Sequence, residues 1–283
     1  MKHLLNISYI IILTVVFSSC TEKIDINLDK SESALVVEGA VSEINGQQRI
    51  KLSKTAEYFS NQAPTAVSNA LVTIDDGTES VALSESELKN GYYYFPDEYS
   101  GVVGKTYTLN INLENEIAGK KEYTAQTTIP PLSDDIDSIA VEWNSRFEAW
   151  LIKFYATDPP RKDYYMFNGM KNGELITDSI QNVNISDDRL YNGNYTYGIA
   201  VMFLDGDKLE PGDIFTLVLS NITEEYANFV TEVQTEISPG IPLFSGPPAN
   251  VSSNISNGAL GWFTAYRSAF TSTVVGERID PEE

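Results

Sequence analysis

From Ala34 to Pro130 the chain alternates apolar and polar residues over short runs that turn residues interrupt. In "TYTLNINL", Tyr107, Leu109, Ile111 and Leu113 fall on one side, and Thr106, Thr108, Asn110 and Asn112 on the other. Successive side chains of a strand point to opposite faces, so this run predicts a half-buried antiparallel strand. "ALVVEGAV", "RIKLSKTA", "ALVTIDD", "SVALSE", "GYYYFP" and "EYTAQTTI" also read as strands. Asp75-Asp76-Gly77 and Asn90-Gly91 read as hairpin turns, where glycine supplies the positive φ that a tight turn needs. About seven short strands predict an immunoglobulin-like or prealbumin-like sandwich over residues 34–131, with the strand order left open.

"IPPLSDD" (Ile129 to Asp135) ends that run, because two prolines cannot continue a central strand. A second β-rich domain is expected over 132–283, with strands at "IDSIAVEW", "AWLIKFYATD", "YYMFNG", "YGIAVMFLD" and "IFTLVLSNI". The pattern changes period once. In "TEEYANFVTEVQTEI", Tyr226, Phe229, Val230, Val233 and Ile237 share one helical face, Thr223 can cap the start, and Ser238-Pro239-Gly240 stops the run. "PGIPLFSGPPANVSSNISNG" is loop by composition, and "ALGWFTAYRSAFTSTVV" closes the chain as one or two strands. The fold class is therefore mainly β: two β-sandwich-like domains, the second with one amphipathic helix at about 223–237.

The first residues follow another rule. "MKHLLNISYIIILTVVFSSC" has a basic start, an apolar stretch from Tyr9 to Phe17, two serines and then Cys20. The stretch is shorter than the roughly 20 residues that span a bilayer, and its layout is that of a secretory signal at 1–19. Residues 20–33 are polar and read as a tether. The segment resembles a bacterial lipoprotein signal, which implies cleavage before Cys20, lipidation of that cysteine and a location outside the cytoplasm. Glu22 and Asp25 resemble the acidic signal that sends Bacteroidota lipoproteins to the outside of the outer membrane.

Composition then narrows the chemistry. The 283 residues carry a net charge of −21, and loss of Lys2 with the signal leaves the mature chain more acidic still. Such a surface repels phosphate backbones, so nucleic acid is not expected as a partner. The single histidine, His3, lies in the expected signal, and the resemblance implies that the single cysteine carries lipid. Triads of Ser-His-Asp type, histidine or thiolate metal sites and internal disulfides are thereby removed, and no cofactor is expected.

"ALVVEG", "GKTYTLNI", "TTIPPLSDDIDSI", "TDPP" and "PPANVSSNISNGALGWF", in that order, resemble the domain-of-unknown-function 4249 family of Bacteroidota envelope lipoproteins. The resemblance runs from about Leu35 to Phe263 and implies no established activity. Members commonly lie beside TonB-dependent transporters, which suggests a non-catalytic outer-membrane accessory for ligand capture or docking. A structural or adhesive envelope protein is the alternative, and a carboxylate-based hydrolase stands last.

Four sets of residues are candidates. Tyr191, Tyr195 and Tyr197 surround a Gly/Asn-rich loop and could present rings to a ligand, whereas "YYY" at Tyr92 to Tyr94 reads mainly as sheet packing. Asn250, Asn254 and Asn257 lie in the most distinctive loop, read as structural first and partner-binding second. "DSI" occurs twice and resembles a Bacteroidota O-glycosylation signal, which would place glycan on Ser138 and Ser179. Asp205, Asp207, Glu210 and Asp213 are hard oxygen ligands close together, but they lack the EF-hand spacing and read as an acidic turn, so no metal is expected.

Overall fold

A strand of 15 residues near the C-terminus organises the molecule. The computed structural model describes residues 33–44, 48–56, 63–131, 136–238 and 251–279; Cys20, the signal and Asn250 lie outside the described residues. The first half contributes β1 (Leu35–Ser42), β2 (Arg49–Lys54), β3 (Leu71–Asp75), β4 (Ser80–Ala82), β5 (Ser84–Glu85), β6 (Tyr92–Tyr94), β7 (Thr106–Ile117) and β8 (Lys120–Thr128). The second half contributes β9 (Ser138–Asn144), β10 (Ala149–Tyr155), β11 (Tyr164–Lys171), β12 (Glu174–Leu175), β13 (Asn184–Asp187), β14 (Ile199–Asp205), β15 (Ile214–Ile222), helix α1 (Glu224–Ile237) and β16 (Leu260–Val274). The fold is mainly β with one long helix among the described residues.

A nine-stranded sheet runs β12-β11-β15-β16-β1-β2-β6-β5, with β13 also paired to β11. Two smaller sheets accompany it, β4-β3-β7-β8 and β14-β10-β9. The alternation in β7 does what its pattern predicts: Tyr107, Leu109, Ile111 and Leu113 are buried in a core shared with Val37, Ile50 and Leu52. A second core gathers Trp150, Ile152 and Phe154 of β10 with Phe215, Leu217 and Leu219 of β15. Trp150 is fully buried, and its indole N–H donates to the Leu209 carbonyl at 3.0 Å, so the ring leaves no polar group unpaired.

The expected boundary between 131 and 132 separates these cores in the middle of the chain, but β16 serves both. Val36 to Ser42 pair in parallel with Leu260 to Tyr266, and Arg267 to Val274 pair antiparallel with Asn221 to Ile214. Phe263 and Ala265 accordingly belong to the first core although they lie far along the second half. Contacts across the seam join the halves into one compact unit, Ser33–Glu283.

Helix α1 begins where its cap requires. The Thr223 hydroxyl accepts the Tyr226 N–H at 3.2 Å, and Glu224 and Glu225 sit in the first turn. Its apolar face buries Ala227, Phe229 and Val230, with Ala227 packed among Met166 of β11 and Ile222 of β15. Phe229 stacks on Trp262 at 5.0 Å, which anchors the helix to β16 as well. β12 and β13 escaped the sequence pattern because both are short and polar, and "SVALSE" divides into β4 and β5.

Candidate functional site

Strand β10 carries the site. Its even residues, Trp150, Ile152 and Phe154, point into the core, so Leu151, Lys153 and Tyr155 occupy the opposite, outer face. Beside them on that face Phe203 of β14 lies across from Leu151 and is 60% exposed, while Glu142 of β9 pairs with Lys153 at 2.5 Å. Beyond Tyr155 the chain continues its ladder into the loop 194–197: the Thr196 N–H donates to Ala156 O at 3.0 Å, and Thr157 bridges to Tyr195. The buried Thr196 hydroxyl donates to Phe154 O at 2.8 Å and accepts the Ala156 N–H at 3.0 Å. With Thr196 clipped inward, its neighbours turn outward. Tyr195 and Tyr197 meet edge to face, 4.9 Å apart, and Tyr197 is 83% exposed.

The backbone there is special. Tyr197 has φ 51° and Gly198 φ 77°, both in the left-handed region. At Gly198 a Cβ would also lie 2.5 Å from the Tyr155 ring, so a side chain there would displace that ring. The result is a strip on the outer face of one sheet, in which Leu151, the Lys153–Glu142 pair, Tyr155 and Tyr195 are half-buried and Phe203 and Tyr197 are exposed.

Tyr191 does not join it. This corrects the expectation that the three loop tyrosines act together: Tyr191 is 6% exposed and lies inside the second core, near-parallel to the ring of Tyr165 at 6.3 Å. Burial pushes its hydroxyl up to about 12. It also lines a cleft of about 600 Å³ between α1 and the loop at 185–191, with Asn228 and Thr231 on the helix side.

Behind the strip sits a group that the sequence reading missed. Asp158, Asp163 and Asp188 are all buried, with carboxylate oxygens within 4.8 Å of one another, a donor set of the kind that holds a hard cation. Protein groups already engage it. Asp158 accepts the Tyr165 hydroxyl and, at 3.2 Å, the Gly193 N–H. Asp163 accepts Arg161 Nε at 2.9 Å, and its own N–H donates to Asp188 at 2.8 Å. The Asp188 carbonyl in turn accepts the N–H groups of Tyr191 and Asn192. This knot fixes where the loop at 188–196 leaves β13, and so positions Tyr195 and Tyr197. Its only signal in the sequence was the acid density of "TDPPRKD" and "SDD", indistinguishable from a solvated surface.

The knot has a pH signature. Burial raises the Asp158 and Asp163 carboxyls above the ordinary 3.8, against the hydrogen bonds from Tyr165 and Arg161. Between 3.8 and the raised values the folded chain holds more protons than the unfolded one, so stability falls as pH rises through that window. Asp76 beside Lys105 and Asp213 beside Lys171 are shifted the other way and lose their contribution only at lower pH. Wild-type protein should therefore lose Tm relative to Asp158→Asn as the pH is raised above 3.8 in thermal melts, because the variant has no carboxyl there to ionise. A Tm difference between the two that does not change with pH would contradict this.

The remaining candidates are placed as follows. Ser138 is exposed at the start of β9, across from Tyr155, and Ser179 is half-buried in a turn. Asp213 is committed to Lys171 at 2.8 Å and to the Glu210 N–H at 2.8 Å, which makes the acidic run between β14 and β15 a braced turn. The asparagine loop lies along β8, the outer strand of its sheet. Asn254 Nδ2 donates to Gln126 O at 3.3 Å, Asn257 Nδ2 to Glu122 O at 2.6 Å, and Ser256 Oγ accepts the Thr124 N–H at 2.7 Å. These side chains occupy backbone groups that an open strand edge would offer to another chain.

A family model described as Domain of unknown function (DUF4249) matches residues 21–272. The chain belongs to this family. No curated protein matches the chain. Among solved structures, the FN1–FN3 domains of chicken CNTN1 are similar at a TM-score of 0.26 and 11% identity over 65% of this chain, which spans 59% of that one. In this DUF4249 chain the pieces that carry the resemblance are where the structure is tied together: "TDPP" supplies Asp158, and "VSSNISNGALGWF" supplies the cap on β8 and the start of β16.

Proposed function

We propose that this DUF4249 chain is a lipid-anchored envelope protein that captures a ligand on its aromatic strip, without catalysis, as an outer-membrane accessory to a TonB-dependent transporter. The observation that carries the anchoring is Cys20, the only cysteine, directly behind an apolar run too short to span. Polar residues follow up to the first strand at Leu35, enough chain to hold the folded part clear of a lipid surface. Capture suits the chemistry that remains once histidine and thiol are removed, and it suits rings presented on a rigid sheet rather than in a closed chamber. Sheet faces hold exposed groups in fixed register, which lowers the cost of ordering them on binding.

The test is the mass of the protein extracted from membranes. It should begin at Cys20 and carry added acyl chains, and Cys20→Ala should leave the membrane fraction. A protein that keeps residues 1–19, or a Cys20→Ala variant that stays membrane-bound, would refute the anchor. Co-purification of a barrel transporter with the wild type is the expected second result, and its consistent absence would remove the accessory role.

A further inference from the structure

We propose that the outer face of the β14-β10-β9 sheet binds a neutral oligosaccharide, with Tyr197 as its stacking platform. The proposal deepens the capture reading by naming the ligand class. Tyr197 belongs to no core, is 83% exposed, and holds a φ of 51° that L side chains rarely adopt. A glycine would occupy that position without strain, and a glycine does follow it. The ring's contact within the fold is the edge-to-face one with Tyr195, itself part of the strip, so strain carried by an exposed aromatic points to an outside contact.

The surroundings select the ligand. Four residue steps separate Leu151 from Tyr155 along β10, about 13 Å at strand rise, longer than one sugar ring and suited to a short chain of them. Rings lie at both ends, Phe203 beside Leu151 and Tyr195 with Tyr197 beyond Tyr155, and the Lys153–Glu142 pair lies between. Tyrosine offers a flat apolar face for the C–H side of a sugar and a hydroxyl for its polar rim. The central ion pair can exchange hydrogen bonds with hydroxyl groups yet carries no net charge, so it favours neither an anionic nor a cationic ligand. Acidic glycans are further disfavoured by a chain at −21. An extended peptide would instead add along an outer strand such as β14 or β9, whereas the strip lies on the face of the sheet.

The full chain, purified in detergent, would be titrated calorimetrically with neutral hexasaccharides of glucose, mannose and xylose in their common linkages, with polygalacturonate as the acidic control. At least one neutral probe should bind with Kd of about 1 mM or tighter, and the control should not. Tyr197→Phe should keep that affinity within about threefold, whereas Tyr197→Gly should weaken it at least about tenfold while raising Tm, because strain is relieved as the platform is lost. No binding across the neutral series, unchanged affinity in Tyr197→Gly, or capture of a proline- or aromatic-rich peptide by Tyr197 in place of sugars would overturn the proposal. Saccharide binding by a protein found apart from any transporter would overturn only the accessory role, and a transporter complex without saccharide binding would overturn only the ligand class.

Discussion

Gly261→Ala will lose the native fold, with soluble yield falling sharply and any surviving protein destabilised by more than about 4 kcal/mol. Gly261 sits in the parallel pairing of β1 with β16, opposite Val37, at φ 89°. A Cβ there would lie 2.1 Å from the Val37 carbonyl oxygen and 2.9 Å from its carbon. Those atoms are backbone of a strand whose side chain at Val37 is fully buried, so no flexible group can yield. Relief requires the two strands to part, and with them the seam between the cores. Gly258→Ala is the control: its φ of 75° carries a similar conformational penalty, but nothing lies within 4 Å of the new Cβ. It should cost only about 1 kcal/mol. Equal melting temperatures for the two variants would show that the close approach at Gly261 is not what demands glycine.

Asn254→Ala comes second, with an expected loss of about 3 kcal/mol and no dependence on a partner. Its amide accepts the Phe263 N–H at 2.9 Å and donates to the Phe263 carbonyl at 2.7 Å, treating that residue as a neighbouring strand would. Phe263 is fully buried, so alanine would leave two backbone groups without partners and without water. The loop would also release Gln126 O on β8. Asn257→Ala removes one exposed bond to Glu122 O and places alanine at a φ of 59°, so it should cost about 1–2 kcal/mol, less than Asn254→Ala. Urea unfolding of both variants reads the difference directly. A folded, fully stable Asn254→Ala protein that had lost a binding partner would instead favour a recognition role for this loop.

Local rules carried far in this chain. The strands of the first half, the hairpin at Asp75 to Gly77 and the helix with its Thr223 cap were legible because each depends on residues a few positions apart. Pairing was not, since Val37 and Gly261 meet across most of the sequence and nothing in either segment names the other. The tyrosine loop shows the same limit at smaller scale. Which of Tyr191, Tyr195 and Tyr197 faces out depends on Thr196 turning inward against β10, a register that a loop does not advertise. Buried acids are harder again: Asp158, Asp163 and Asp188 look like surface charge until the loops that carry them converge.

The handover of β16 from β1 to β15 also sets a timetable. Until residues 260–266 arrive, β1 has no parallel neighbour, and Val37, Val41 and Leu52 lack Phe263 and Ala265 above them. A chain made from its N-terminus must therefore carry an unfinished first sheet until residues 260–266 have been synthesised, with long-range pairing as the slow step. Truncation anywhere in β16 would not trim the second half alone but would leave both halves open, so partial chains should be scavenged rather than accumulate as a folded fragment.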